Sequence, residues 1–133
     1  MNIIKWASIP LRLGAGVVFT AHGLQKTYGL FGGPGIHGFA EMLSKLGFVP
    51  ALGWAYVAAC VELLGGIMVL LGLGTRIAAS LLFIDMVVAG ITVHLSKGFF
   101  LQNGGFEYTF TLGCLCLALV FLGTGKLGIN KKF

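Results

Sequence analysis

Long apolar runs, separated by short polar or glycine-rich stretches, constrain the fold of this chain more than any other feature. Four of these runs approach the roughly 20 apolar residues that one crossing of a lipid bilayer takes. With 57% hydrophobic and only 10% charged residues in a chain of 133, a water-soluble domain could not bury so much apolar surface. The pattern therefore predicts an all-α integral membrane protein, a single-domain bundle of four transmembrane helices.

The apolar runs and their breaks set the predicted helix boundaries. The four membrane helices are expected at about 9–24, 50–72, 76–95 and 106–122. Pro50 suits the first turn of the second helix, and a glycine-rich turn at 72–75 separates the second helix from the third. Between the first two helices, the stretch 36–48 places apolar residues such as Phe39 and Leu43 opposite polar ones. This pattern predicts a short amphipathic helix lying at the membrane interface.

Basic residues are scattered, which favours a role in membrane orientation over binding of nucleic acid. Lys5 and the apolar stretch after it look like a signal peptide, but Arg12 interrupts that stretch, so retention as a first helix is expected. Arg12 itself is expected to anchor its helix at the lipid head groups, with pairing inside the bundle as the alternative. Four crossings place six basic side chains on the side of the termini and three opposite, which predicts that both termini are cytoplasmic. The six are Lys5, Arg12, Arg76, Lys126, Lys131 and Lys132, and the three are Lys26, Lys45 and Lys97.

Glu62 is the most informative polar residue, because it falls near the middle of the second predicted helix. An ionisable group at that depth is costly unless it is paired or hydrated, which makes it a functional candidate. Small residues share its helical face and let neighbouring helices approach: Ala55, Ala58, Ala59, Gly65 and Gly66. Glu62 is therefore expected to point into the bundle, either as a structural hydrogen-bonding or ion-pairing group or as a proton donor and acceptor.

Other polar residues collect at the ends of the predicted helices that lie away from the termini. His22 and Lys26 are four residues apart and share a helical face. His94 ends the third helix, Glu107 begins the fourth, and the loop between them contributes Asn103 and two adjacent phenylalanines. Together these side chains predict a site for a head group that needs hydrogen-bond donors and a nearby acid. A solvated interface with aromatic anchors is the alternative.

Asp85 stands apart from this group. Nine steps of 100° separate it from His94, which places the two on opposite faces of an ideal helix. Asp85 is therefore expected to face a partner chain or a second copy of the protein, since a carboxylate facing lipid would be too costly. The cysteines, Cys60, Cys114 and Cys116, fall within apolar runs without metal-binding spacing and are interpreted as packing residues.

Several short motifs follow one another in a fixed order along the chain. They are R-x-x-x-G at 12–16, H-G-x-x-K at 22–26, E-x-x-G-G at 62–66, T-R-x-A-A at 75–79, and H-x-x-x-G-F-F with a following G-G-x-E at 94–107. In this order and spacing the sequence resembles the DoxX family of small four-helix bacterial membrane proteins. The resemblance covers nearly the whole chain and implies a multi-pass protein of the bacterial inner membrane. Relatives are described as subunits of thiosulfate:quinone oxidoreductases or linked to thiol-redox complexes with soluble partners.

This resemblance makes a quinone-linked oxidoreductase subunit the leading hypothesis. His22, Lys26, His94 and Asn103 would bind the ligand, and Glu62 or Glu107 would exchange protons. Quinone is the candidate cofactor, and no metal, haem or flavin motif is evident. A partner protein would supply the electrons, because the sequence shows no electron relay of its own.

Other functions remain open at this stage. A non-catalytic anchoring or assembly subunit would use the small-residue faces and Asp85 as interfaces, in a homo-oligomer or with a protein partner. A small proton-coupled transporter would use Glu62 as its coupling carboxylate. A metal or haem site would need His22 and His94 to meet at the same depth.

Overall fold

The computed structural model describes residues 2–130, and this range folds as a bundle of helices without strands. Its α-helices are α1 (Ile4–Tyr28), α2 (Gly35–Lys45), α3 (Ala51–Leu71), α4 (Thr75–Ala89) and α5 (Glu107–Leu122). Helix α4 continues as a π-helical turn, Gly90–His94, and a 3-10 turn, Leu95–Lys97. The predicted all-α class is therefore confirmed.

Helix α1 is longer than the apolar run that predicted it. The run suggested 9–24, whereas the helix extends over Ile4–Tyr28. It ends at Gly29, where a φ of 70° places the backbone in the left-handed region and the N–H bonds to the carbonyl of Gln25. Hydropathy marks the apolar part of a helix, while backbone hydrogen bonding continues into the polar residues that follow.

The outer surface of the bundle is apolar. Leu64, Ile84 and Phe110 are 57%, 56% and 59% exposed on α3, α4 and α5. In the described range, two helical stretches are long and apolar enough by length and composition to cross a membrane, Ala51–Leu71 and Thr75–Lys97, and Glu107–Leu122 is a shorter apolar helix. Such continuous apolar cover is typical of a surface that meets lipid or another protein.

Helices α1 and α3 approach closely because small residues line their contact. Ala55, Ala59, Gly65 and Gly66 are buried, as the helical spacing around Glu62 predicted, whereas Ala58 of the same predicted face is half-buried. On α1, a methyl group at Gly16 would lie 2.7 Å from the Leu70 Cβ. The two backbones are thus too close for larger side chains, and the approach sets the depth at which Glu62 enters the bundle.

Gly23 offers a direct test of this close approach. A Cβ at Gly23 would lie 2.5 Å from the Leu63 Cα, so Gly23→Ala is expected to push the helices apart and destabilise the protein by about 1–3 kcal/mol. Gly14→Ala is the matched control on the same helix, because its Cβ would meet only Leu115 Cδ1 at 3.9 Å. Thermal unfolding in mild detergent compares the two. Equal stabilities for the two variants would contradict the packing described here.

Arg12 lies inside the protein, which corrects the expectation that it anchors at the lipid head groups. Its side chain is only 7% exposed. Nε donates to the carbonyl of Val69 at 2.9 Å, and Nη2 donates to that of Leu70 at 3.1 Å. Nη1 donates to the carbonyl of Thr124 at 3.0 Å and to that of Leu127. The guanidinium therefore joins the end of α3 to the segment that follows α5.

Candidate functional site

The centre of the candidate site is an ion pair between α1 and α3. Lys26 Nζ lies 2.5 Å from Glu62 Oε1, and the Glu62 side chain is only 2% exposed. Lys26 is 23% exposed, and its ammonium also lies 4.8 Å from the centre of the Phe39 ring on α2. The charge of Glu62 is thus compensated within the bundle, as a buried carboxylate requires.

A cavity of about 110 Å³ opens beside this ion pair. It is lined by Phe19, His22, Lys26, Glu62, Met86, Ala89, His94, Tyr108, Thr109 and Leu112. Four of the residues singled out from the sequence, His22, Lys26, Glu62 and His94, therefore share one cavity. The polar side chains come from α1, α3, the π-helical turn and α5, so the cavity depends on the packing of the whole bundle.

The two histidines of the cavity are held in different ways. His94 Nδ1 lies 2.7 Å from the carbonyl oxygen of Gly104. Because a carbonyl only accepts, Nδ1 carries the proton of this bond, and Nε2 is the ring nitrogen left for other contacts. The ring of His22 packs against that of Tyr108, with 6.0 Å between centroids. The site thus has an oriented imidazole on one side and an aromatic wall on the other.

Glu107 and Asn103 do not line this cavity, which differs from their predicted place in the site. Glu107 Oε2 accepts a hydrogen bond from the backbone N–H of Leu101 at 2.9 Å. Asn103 is exposed in a 3-10 turn of the same loop. As the first residue of α5, Glu107 is placed to bind the loop backbone instead of reaching into the bundle. The carboxylate therefore holds the loop in place.

Asp85 is half-buried and its Oδ2 lies inside the bundle, which differs from its predicted place at an interface with a partner chain. Its carboxyl group lies beside that of Glu62, within reach of its charge and of a side-chain hydrogen bond. The expectation assumed an ideal α-helix from Asp85 to His94. The turn Gly90–His94 is π-helical, and its wider i→i+5 turns shift the direction in which His94 points. Asp85 and His94 can therefore both serve the interior of the bundle.

Tyr108 and Thr109, which were not predicted as site residues, also line the cavity. A signal was present in the spacing of α5. Tyr108, Leu112, Cys116 and Leu119 follow one another at intervals of four, four and three residues, and the last three are buried. This periodicity indicates the inward face of α5, which includes Tyr108. The neighbouring Glu107 was predicted for the site from its charge alone.

A larger apolar groove adjoins the polar cavity. The groove has a volume of about 240 Å³ and runs between α4, the π-helical turn and α5. It is lined by Phe83, Met86, Val87, Gly90, Ile91, Leu95, Phe106, Thr109, Phe110, Gly113 and Cys114. Met86 and Thr109 line both spaces. A polar compartment and an apolar one thus meet at a shared wall.

The chemistry available in the cavity is hydrogen bonding and proton exchange. Lys26 and the histidines can donate hydrogen bonds, while Glu62 can accept or hold a proton. Within residues 2–130, the structure gathers no group of three His, Cys, Asp or Glu side chains in a metal-binding arrangement. All three cysteines are free thiols, with Cys60 and Cys114 exposed and Cys116 buried.

Comparison with known proteins agrees with the motif pattern. The DoxX family model matches residues 7–95. "Putative oxidoreductase CatD" of Bacillus subtilis is 37% identical over 109 residues, covering 82% of this chain and 75% of that protein. An uncharacterized protein of Haemophilus influenzae is 36% identical, covering 74% of this chain and 80% of its own length. An uncharacterized membrane protein of Mycobacterium tuberculosis is 41% identical, covering 74% of this chain and 55% of its own length. No solved structure matches this chain significantly.

Proposed function

Because this chain belongs to the DoxX family and is a membrane protein, we propose that it is the membrane subunit of a quinone-linked redox complex. The proposal places the quinone ring in the polar cavity and its apolar chain in the adjoining groove. CatD supports a redox role through the word oxidoreductase in its name. The main support for the proposal is that the cavity and the groove share a wall, because this arrangement suits a ligand with a polar head and an apolar tail.

The proposed membrane arrangement is four crossings in the bacterial inner membrane. Helix α1 has 25 residues and a length of about 37 Å, enough to span the hydrocarbon core. The stretches Ala51–Leu71 and Thr75–Lys97 are long and apolar enough to supply two further crossings, and Glu107–Leu122 would be a fourth. Both termini are proposed to lie in the cytoplasm, since the side of the termini carries most of the basic residues.

The residues of the cavity fit a quinone ring in polarity and in donor placement. A bound quinone supplies an acceptor for two electrons and two protons. Lys26 and His22 would donate hydrogen bonds to a ring carbonyl, and His94 is held in orientation by its bond to Gly104. Glu62 would hold or pass a proton at Oε2, since Oε1 is occupied by Lys26. The electrons would come from a partner protein.

Binding of a short-chain ubiquinone analogue to the purified protein in lipid nanodiscs tests this proposal. His22→Leu removes a polar group from the cavity wall and is expected to weaken binding about tenfold or more, a loss of about 1.4 kcal/mol. His37→Leu is the matched control, because His37 is exposed on α2 and does not line the cavity. Isothermal titration calorimetry on wild type and both variants gives the dissociation constants.

Equal affinities in all three proteins would place the quinone outside this cavity and contradict the proposal. If the wild type binds no quinone and instead co-purifies stoichiometrically with another protein, the chain acts as an anchoring or assembly subunit. The exposed apolar residues of the loop after His94, Phe100 at 61% and Leu101 at 53%, would then be the first candidates for the contact.

A further inference from the structure

Two buried carboxyl oxygens lie without a conventional hydrogen-bond partner in the interior of the bundle. Among the described residues 2–130, Glu62 Oε2 and Asp85 Oδ2 are both buried, and no donor of the protein reaches either. The other oxygen of Glu62 is occupied by Lys26 at 2.5 Å. Asp85 lies beside Glu62, close enough for a hydrogen bond between the two carboxyl groups. Such a bond forms only if one of the two groups carries a proton.

Electrostatics favours the same arrangement. An ionised carboxylate only accepts hydrogen bonds, so two adjacent carboxylates repel each other and leave both oxygens unsatisfied. Lys26 contributes one positive charge against the two negative charges of Glu62 and Asp85. One added proton makes the three side chains neutral as a group and gives each unpartnered oxygen a partner. In a buried, apolar setting a neutral group avoids the cost of uncompensated charge.

We infer that Glu62 and Asp85 form a carboxyl pair that holds one exchangeable proton between Glu62 Oε2 and Asp85 Oδ2. Asp85, which does not line the cavity, is thus a second proton position behind Glu62, which does. The proton is taken from and returned to water or a ligand oxygen in the cavity, and the O–H bond of the carboxyl breaks as the acceptor's O–H bond forms. This inference goes beyond the proposed function and requires no quinone.

The pair is surrounded by other titratable groups that bear on its protonation. They are His22 and Lys26 on α1, His94 on the π-helical turn, and Tyr108 and Cys116 on α5. Lys26 is the one lysine or arginine of this set and already contacts Glu62. The second carboxylate therefore lacks a cation of its own, which is why a shared proton is needed.

Infrared spectroscopy of the purified, quinone-free protein tests the inference, because the chain has only four carboxylic side chains, Glu41, Glu62, Asp85 and Glu107. The wild type at neutral pH is expected to show one protonated-carboxyl band that shifts in D₂O. Asp85→Asn and Glu62→Gln should each lose the band, since the single remaining carboxylate is then balanced by the positive charge of Lys26 and can accept a hydrogen bond from the new amide. Glu41→Gln is the matched control and should keep it, because Glu41 is exposed on α2.

Absence of the band from the wild type would overturn the inference without any variant. A band that survives in Asp85→Asn or in Glu62→Gln would also overturn it, since the proton would then belong to a single residue. Circular dichroism and elution volume show whether each variant is folded. A wild-type band in a protein that binds no quinone would support the carboxyl pair while contradicting the proposed function. Failure of the carboxyl pair and failure of the quinone proposal can therefore be told apart.

Discussion

Replacing Arg12 with methionine is expected to lower the free energy of unfolding by about 3–5 kcal/mol, among the largest effects of any single change in this chain. The guanidinium donates to four backbone carbonyls, those of Val69, Leu70, Thr124 and Leu127. Two of them belong to the last turn of α3, where carbonyls lack the i+4 partner of the helix interior, although that of Val69 also accepts from the Gly72 N–H at 3.2 Å. A cation near a helix C-terminus also interacts favourably with the helix dipole. Methionine fills the space but supplies none of these donors.

Arg76→Met is the matched control for Arg12→Met. Arg76 is exposed, and its guanidinium makes one long hydrogen bond, 3.4 Å, from Nη2 to the carbonyl of Phe121. Its replacement should change stability by no more than about 0.5 kcal/mol. Thermal unfolding in mild detergent measures both variants, and limited proteolysis reports release of the segment after α5. If Arg12→Met costs no more than Arg76→Met, Arg12 does not join the two segments as described.

The faces of individual helices could be predicted from the sequence because they depend on local periodicity alone. Around Glu62, the spacing of five small residues indicated a buried face, and the structure buries all of them except Ala58, which is half-buried. Residue spacing within one helix fixes the direction of a side chain as long as the helix is regular. Residue spacing therefore predicts how a helix is rotated about its own axis, but it does not predict which neighbouring element the helix contacts.

Contacts between distant segments could not be predicted in this way. Arg12 was assigned to the lipid interface because its sequence neighbours say nothing about the segment around Thr124, more than a hundred positions away. The pairing of Lys26 with Glu62 depends on how α1 and α3 are rotated relative to each other. That rotation is set by the close approach at Gly23 and Gly66, a three-dimensional fit that periodicity does not describe.

The prediction for Asp85 depended on a regular α-helix from Asp85 to His94, and one local irregularity changes that geometry. The ideal step of 100° per residue applies as far as Ala89, where α4 ends. Beyond it, the π-helical turn Gly90–His94 changes the angular step, and π-turns are frequent at functional sites. Gly90 lies where a side chain would come 3.2 Å from Thr109 Oγ1, so this turn also packs tightly against α5. The irregularity therefore lies in the wall of both the groove and the site.

Replacing Lys26 with methionine is the second change expected to have a large effect, about 3 kcal/mol of lost stability. The variant leaves Glu62, which is 2% exposed, and the adjacent Asp85 without a cation. Glu62→Gln should lower the stability less, because Lys26 is 23% exposed and its ammonium still contacts solvent and the Phe39 ring. In the double variant, neither the Glu62 charge nor an unpaired ammonium remains, and Asp85 is the one carboxyl group left beside them. Its loss of stability should therefore be smaller than the sum of the two single losses.

A double-mutant cycle measures this difference, with the exposed pair Lys45 and Glu41 as its control. The control pair lies 3.7 Å apart with side chains 75% and 72% exposed, so its coupling is expected at only about 0.3–0.5 kcal/mol. For Lys26 and Glu62 the coupling should exceed about 1 kcal/mol, because the pair is desolvated and its members touch. Thermal unfolding of all variants in one detergent gives both values. A coupling no larger than that of the control would mean that Glu62 is neutralised by a proton instead of by Lys26, and the cavity would then contain a free ammonium group.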